Sequence, residues 1–263
     1  PRCRPSRAAS LRPRSALLPC TDRCPWRCSA CRARQPPAAR PAAALATWAD
    51  APVRAGRDLQ AGGTWMGLGA DGRAAVVTNV RDGLPRPFDG PSRGDLPAAF
   101  LAGSLTAADY AAQLAGQAGR YAPFNLVVAD ARGCFYVGNH PAAGVQAIAP
   151  GVHGLSNGAF DADWPKVRRL RAVLQAWVDA GDDDLQPLWQ TLADETPAAD
   201  AELPETGVGL ALERQLSPCF IRGPRYGTRA STLLLVDTAG RGRICERRFG
   251  PDGLLLGETT LAD

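Results

Sequence analysis

The sequence predicts an α+β protein, on three observations. Paired apolar runs with period-two alternation flank glycine turns between Gly62 and Gly138; the apolar period lengthens to that of a helix from Asp163; two strand-like runs return after Tyr226-Gly-Thr228. Strands, then helices, then strands again argue for stacked layers rather than for the βαβ repeat of a parallel sheet.

Residues 1–40 hold ten arginines, seven prolines and one acid, Asp22, without apolar periodicity, and are expected to be unstructured. Organised sequence begins near Pro41, so a single domain is expected over 41–263. Thr64 to Gly69, the turn Ala70-Asp-Gly72 and Arg73 to Asn79 read as a β-hairpin. Leu96 to Leu101 and Ala107 to Ala118 carry helix formers, with Thr106 as N-cap of the second. Phe124 to Ala129 and Gly133 to Gly138 form another strand pair, and a further strand is expected to run into Gly154. Val167, Leu170, Leu174, Trp177 and Val178 then recur at helical spacing, with Lys166, Arg168, Arg169 and Arg171 on other faces. Leu185 to Leu192 adds a helix, Asp194 to Pro218 reads as an acidic surface loop, and Arg229 to Val236 and Arg241 to Phe249 close the chain as strands.

The 263 residues are 45% hydrophobic and 21% charged, which excludes disorder for most of the chain. No stretch approaches the roughly 20 apolar residues a bilayer demands, so a soluble protein without an integral membrane segment is expected. Beyond residue 40, 25 acids outnumber 20 bases, and a groove for nucleic-acid phosphates is not expected. Of the 30 basic residues only Lys166 is a lysine. Five of the eight cysteines fall in the first forty residues; Cys134, Cys219 and Cys245 remain, so the body reads as reduced and cytoplasmic.

Gly62-Gly-Thr-Trp65, Thr78-Asn79, Gly154-Leu-Ser-Asn157 and Tyr226-Gly-Thr-Arg229 place glycine beside polar residues at strand ends, where a rigid scaffold aims side chains into a cleft. Together with Arg93-Gly94-x-Leu96, Phe124-Asn-Leu126 and Trp164-x-Lys166 they resemble, in order, the motif series of the NRDE family, also called the transport and Golgi organisation protein 2 family. The resemblance spans about Pro41 to Phe249. It implies a four-layer αββα sandwich like that of the N-terminal nucleophile hydrolases, with two stacked antiparallel sheets between helices.

Members of the family begin Met-Cys and carry Asn-Arg-Asp-Glu shortly afterwards. This chain has Pro1 and, at the expected place for the second motif, Arg32-Ala-Arg-Gln-Pro-Pro-Ala38. A shifted reading frame upstream of about Arg40 accounts for both, and with it the loss of an N-terminal strand is expected. Two other readings of the segment stand beside it. Cys20-x3-Cys24-x3-Cys28-x2-Cys31 supplies four thiolates but lacks the paired spacing of a zinc site, so no metal is expected. The arginine-rich, acid-poor start also resembles a transit peptide.

The resemblance implies a ligand-binding or trafficking protein that carries a small molecule, namely haem, a lipid or an acyl-CoA. Its cleft would be lined by Gly62, Gly63, Thr64, Trp65, Asn79 and Asn157. One methionine and two histidines offer no persuasive axial pair, so any haem would be a transiently held cargo. The alternative is an amidohydrolase acting on carbon–nitrogen bonds other than peptide bonds, whose N-terminal cysteine uses its own α-amino group as base. There Asn79 is the oxyanion donor, Asn157 the second asparagine and Arg229 the arginine around the nucleophile, and the chain as written is expected to be inactive. Against both stands a purely structural bridge between the sheets. Asn79, Asn157 and Arg229 are expected to converge on one cleft, His140 and His153 to sit in surface turns, and Trp65, Trp164 and Trp177 to pack.

Overall fold

The computed structural model of the protein describes residues 24–29, 32–34, 41–84, 87–181 and 183–263. In chain order the strands are β1 (Cys24–Ser29), β2 (Arg32–Arg34), β3 (Ala42–Thr47), β4 (Arg54–Asp58), β5 (Met66–Leu68), β6 (Ala74–Asn79), β7 (Phe124–Asp130), β8 (Gly133–Gly138), β9 (Gly144–Ala147), β10 (Tyr226–Thr228), β11 (Ala230–Val236), β12 (Gly242–Phe249) and β13 (Leu255–Ala262). Strands β3 to β9 pair in sequence order as a seven-stranded antiparallel meander, while β1, β11, β12 and β13 form a four-stranded antiparallel sheet. β2 pairs with β10. The helices are α1 (Asp95–Ala102), α2 (Ala107–Ala115), α3 (Pro165–Ala180), α4 (Gln186–Leu192) and α5 (Leu210–Leu216).

Strand alternation sorts the core into layers. Ala75, Val77, Leu126, Val128 and Val137 point to one face of the meander and pack on Phe100 and Leu101 of α1 and Ala111 and Leu114 of α2. Met66, Leu68, Ala74, Val76, Val127 and Cys134 point to the other face and meet Leu234 and Ile244 of the four-stranded sheet. The far side of that sheet, Leu233 and Cys245, packs on Trp177 of α3 and on Leu188, Trp189 and Leu192 of α4. The order is helices, sheet, sheet, helices.

Local chemistry explains the boundaries. Asp71 and Gly72 both take positive φ between β5 and β6, the twist a two-residue hairpin needs. The Thr106 hydroxyl accepts from the Asp109 amide at 3.1 Å and caps α2. Pro165 opens α3 and Gly181, at φ 62°, ends it.

The structure corrects several expectations. After the short β9, residues 148–164 form no regular element, so no strand runs into Gly154. The stretch from Asp194 to Pro218 is not simply a surface loop, because it contains α5, whose Glu213 and Leu216 are buried. Lys166 is likewise not on a solvent face: it is 5% exposed, and its Nζ donates to the Leu216 carbonyl at the end of α5 at 2.9 Å. Strands β3, β4 and β13 lie outside the elements foreseen. So do β1 and β2, which fall in the stretch expected to be unstructured and to have cost the sheet a strand. The rest of residues 1–40, and the cysteine side chains behind the zinc reading, lie outside the described residues. Among the described residues, no helix is long and apolar enough to cross a membrane.

Candidate functional site

The two ends of the double sheet differ. At one, the β5–β6 turn meets the β11–β12 turn so closely that a Cβ on Gly72 would lie 3.0 Å from the Gly240 Cα. β6 runs away from that end to Asn79 and β11 runs toward it from Ala230. Asn79 and the Arg229–Ala230 junction therefore share the opposite end.

At this opposite end the face of the meander that looks to the second sheet turns polar. The apolar series Ala74, Val76 continues as Thr78; on β7 the same face runs from Val127 back to Asn125; on β8 it runs from Cys134 to Tyr136. Thr78 and Asn125 are cross-strand partners. Asn125, 1% exposed, donates from Nδ2 to Thr78 Oγ1 at 3.3 Å and to the Gly158 carbonyl at 2.8 Å, and its Oδ1 accepts from the Tyr136 hydroxyl at 2.7 Å. Thr78 Oγ1 donates to the Ser156 carbonyl at 2.8 Å. A Cβ on Gly138 would stand 2.3 Å from the Tyr136 oxygen, so glycine there gives the phenol its path to Asn125. Burial pushes the Tyr136 phenol above its usual range and keeps it a donor.

This network holds residues 154–158 across the strand ends. Asn157 Nδ2 donates to the Asn79 carbonyl at 2.8 Å, and the Asn157 carbonyl accepts from the Arg81 amide at 2.7 Å. Two of the three foreseen residues thus meet. They do so through an Asn79 main-chain oxygen: alternation from Val77 gives the exposed Asn79 side chain the α1 face rather than the inter-sheet face. Arg229 sits half-buried between β10 and β11, where its carbonyl accepts from the Phe249 amide at 2.7 Å.

Gly62, Gly63, Thr64 and Trp65 serve a close packing of backbones. Gly62 takes φ 80°, and a Cβ on Gly63 would be 2.4 Å from the Gly94 carbonyl carbon. The Thr64 amide donates to the Gly94 carbonyl at 3.0 Å, which joins the Gly-Gly-Thr-Trp segment to the Arg93-Gly94 segment. Trp65 lies over Gly56, whose Cβ would be 2.4 Å from the indole.

Behind the corner, Arg81 Nη2 stands 2.7 Å from Glu213 Oε2, both side chains being largely buried, and its guanidinium lies 5.0 Å from the Trp164 ring. Glu213 Oε1 also accepts from the Thr206 amide at 2.9 Å. Across the sheets, a bulge in β3 turns the Leu45 amide to Glu246 Oε1 of β12 at 2.9 Å. Burial raises the Glu246 carboxyl above its ordinary range, opposed by that amide and by Arg248. Sequence reasoning missed Asn125, Tyr136, Arg81 and Glu246 as site-forming residues. A lone asparagine inside Phe124-Asn-Leu-Val-Val was the available signal, since a polar residue in a fully buried strand needs partners.

The histidines are not simply turn residues, because each is partly buried against a carboxylate: His140 Nε2 at 3.3 Å from Asp82 and His153 Nδ1 at 2.7 Å from Asp161. Trp177 is buried in the α3–α4 core. Among the described residues, no group of three or more His, Cys, Asp or Glu side chains is arranged to hold a metal ion.

Residues 31–251 match the family described as Transport and Golgi organisation 2. The chain is 30% identical over 231 residues to the Transport and Golgi organization protein 2 homolog of Bos taurus, covering 79% of this chain and 81% of that protein. It is 29% identical over 229 residues to the Homo sapiens protein of the same description, covering 79% and 80%. The Transport and Golgi organization 2 homolog of Mus musculus is 27% identical over 212 residues, covering 74% and 76%. The motif series and these matches agree: the chain belongs to the Transport and Golgi organisation 2 family.

Proposed function

We propose that the protein is a trafficking protein that carries a small apolar or amphipathic molecule, haem, a lipid or an acyl-CoA, at the polar end of the double sheet. The observation that carries this reading is the break in the inter-sheet face, where Thr78, Asn125 and Tyr136 replace the apolar residues that fill the same face elsewhere. A few convergent polar groups at the end of an otherwise apolar interface are what a small-molecule site requires. The family name supports the trafficking role. For haem, Met66 is 1% exposed in the core and both histidines face carboxylates, so the cargo would be held without an axial ligand from these residues.

Absorbance titration with haem, with an acyl-CoA as competitor, tests the reading. Saturable binding that weakens about tenfold in Asn157→Leu supports it. Binding of neither ligand, or binding indifferent to that substitution, overturns it.

The hydrolase reading has its own support in the order of layers, which is that of the N-terminal nucleophile hydrolases. It also draws on the pairing of β2, where the Asn-Arg-Asp-Glu counterpart would fall, with Tyr226-Gly-Thr228. It requires a free N-terminal cysteine beside that corner. Intact-mass spectrometry of a form whose N-terminus is restored to a free cysteine, incubated with a small amide or thioester, tests it: an adduct on that first-residue cysteine supports hydrolysis, and its absence counts against it.

A further inference from the structure

Arg248 is the penultimate residue of β12, and its neighbour Phe249 donates its amide to the Arg229 carbonyl, so Arg248 stands at the polar end of the double sheet. Ile244 points to the meander, and alternation along Ile244, Glu246 and Arg248 turns all three side chains to the inter-sheet face. The cross-strand neighbours of Arg248 are Ala230 of β11 and Gly257 of β13, one with a methyl and the other with no side chain. A Cβ on Gly257 would stand 3.4 Å from Arg248 Nη2, which places the guanidinium over the glycine. Trp65 packs into the same inter-sheet layer from the meander side.

The Nε of Arg248 is sealed from solvent and, among the described residues, has no hydrogen-bond partner. Buried N–H groups are rarely left unpaired, and this one belongs to a charged donor. Glu246, two residues back on the same face, is not its partner: Glu246 Oε1 accepts from the Leu45 amide at 2.9 Å, and Arg248 acts on that carboxyl through space. Beside the arginine, Leu254, Leu255 and Leu256 lead into Gly257, each more than half exposed. They are the one run of consecutive exposed leucines among the described residues.

We propose that Arg248 anchors a carboxylate on the carried molecule, and that the exposed leucines at the start of β13 take its hydrocarbon part. A guanidinium presents Nε–H and one Nη–H side by side, at the spacing of the two oxygens of a carboxylate. Ala230 and Gly257 leave the space beside it open for that head group. The acceptor missing at Nε and the apolar surface next to it are complementary to the two halves of a fatty acid, an anion joined to a chain. Either feature alone fits many partners; their adjacency selects an amphipathic monocarboxylate. The inference rests on the carriage reading for the existence of a cargo and narrows its chemical class.

Calorimetric titration with decanoate and with decanol separates the anchor from the cargo, because the two share a chain and differ in charge. The wild type is expected to bind the acid about tenfold more tightly than the alcohol, and Arg248→Gln to bind both alike. Leu256→Ser is expected to weaken both by a similar factor, since it removes apolar contact only. A wild type without the preference, or a preference that survives in Arg248→Gln, overturns the anchor, while saturable binding of the alcohol leaves carriage standing. An effect of Leu256→Ser on the acid alone, or on neither, overturns the hydrocarbon half. Haem bound without any binding of decanoate overturns the anchor and leaves carriage; binding of none of the three overturns both. Should Arg248→Gln not fold, pH titration of decanoate labelled at its carboxyl carbon and bound to the wild type decides. A bound carboxyl that stays ionised below the range of the free acid supports the guanidinium contact, and one that protonates above it overturns it.

Discussion

At the Gly72 end of the double sheet two turns meet through backbone atoms, with no side chain between Gly72 and Gly240. At the Asn79 end the same sheets are covered by a segment without regular structure, held by Thr78, Asn125, the Asn79 carbonyl and the Arg81 amide. The first closure is steric and has one solution. The second is made of hydrogen bonds, each of which water or a ligand can replace at modest net cost. A fold that seals one end by contact and the other by exchangeable bonds confines its opening to one place.

The largest effect that would break this contrast is expected at the steric end. Gly72→Val puts a β-branched residue at φ 69° against the Gly240 backbone, and a loss of about 3 kcal/mol in denaturant unfolding is expected. A loss under about 1 kcal/mol would show that the turns are free to part.

A smaller effect is expected at the polar end. Asn125→Leu leaves the Tyr136 hydroxyl and the Gly158 carbonyl without their partner, which costs about 2 kcal/mol. Its distinguishing mark is local: exchange in residues 154–158 should rise more than exchange in α3 or α4. A uniform rise across the molecule would place Asn125 in the general core instead.

The smallest effect concerns the pin between the sheets. The folded carboxyl of Glu246 is raised by burial, so the folded state holds its proton more tightly than the unfolded chain does. This group therefore costs stability as pH rises from the ordinary carboxyl range through the raised folded value. Glu246→Gln keeps an acceptor for the Leu45 amide and removes the charge. The difference in unfolding free energy between variant and wild type should shift toward the variant as pH rises from the ordinary carboxyl range through the raised folded value. A pH-independent difference would mean that Glu246 titrates alike in both states.

The same contrast explains how much was legible beforehand. β6, β7 and β8 could be read because Ala74 to Val77 and Leu126 to Ala129 carry their burial in composition, and α3 because its apolar residues keep one face. α5 could not, since Leu210-Ala-Leu-Glu-Arg-Gln-Leu216 spans only two turns and is fixed from outside by Arg81 and Lys166. β13 has exposed Leu255 and Leu256, and Leu255-Leu-Gly-Glu-Thr-Thr-Leu-Ala262 carries no apolar–polar alternation in its residue types, so its pairing with β12 was not visible locally. At the site, sequence reasoning expected Asn79, Asn157 and Arg229 to converge through their side chains, whereas Asn157 reaches Asn79 through the Asn79 carbonyl. Strand register decides which way a side chain faces, and one residue's shift exchanges Thr78 for Asn79.

Lys166 carries a practical consequence. It is the one lysine in the sequence, and its amine is buried against the last turn of α5. An acylating reagent in water thus finds no lysine on the folded surface and must wait for α3 and α5 to separate. The rate at which such a reagent marks Lys166 becomes a clock for that separation, and any enzyme that acetylates or ubiquitinates lysine acts on this chain only as fast as the clock allows.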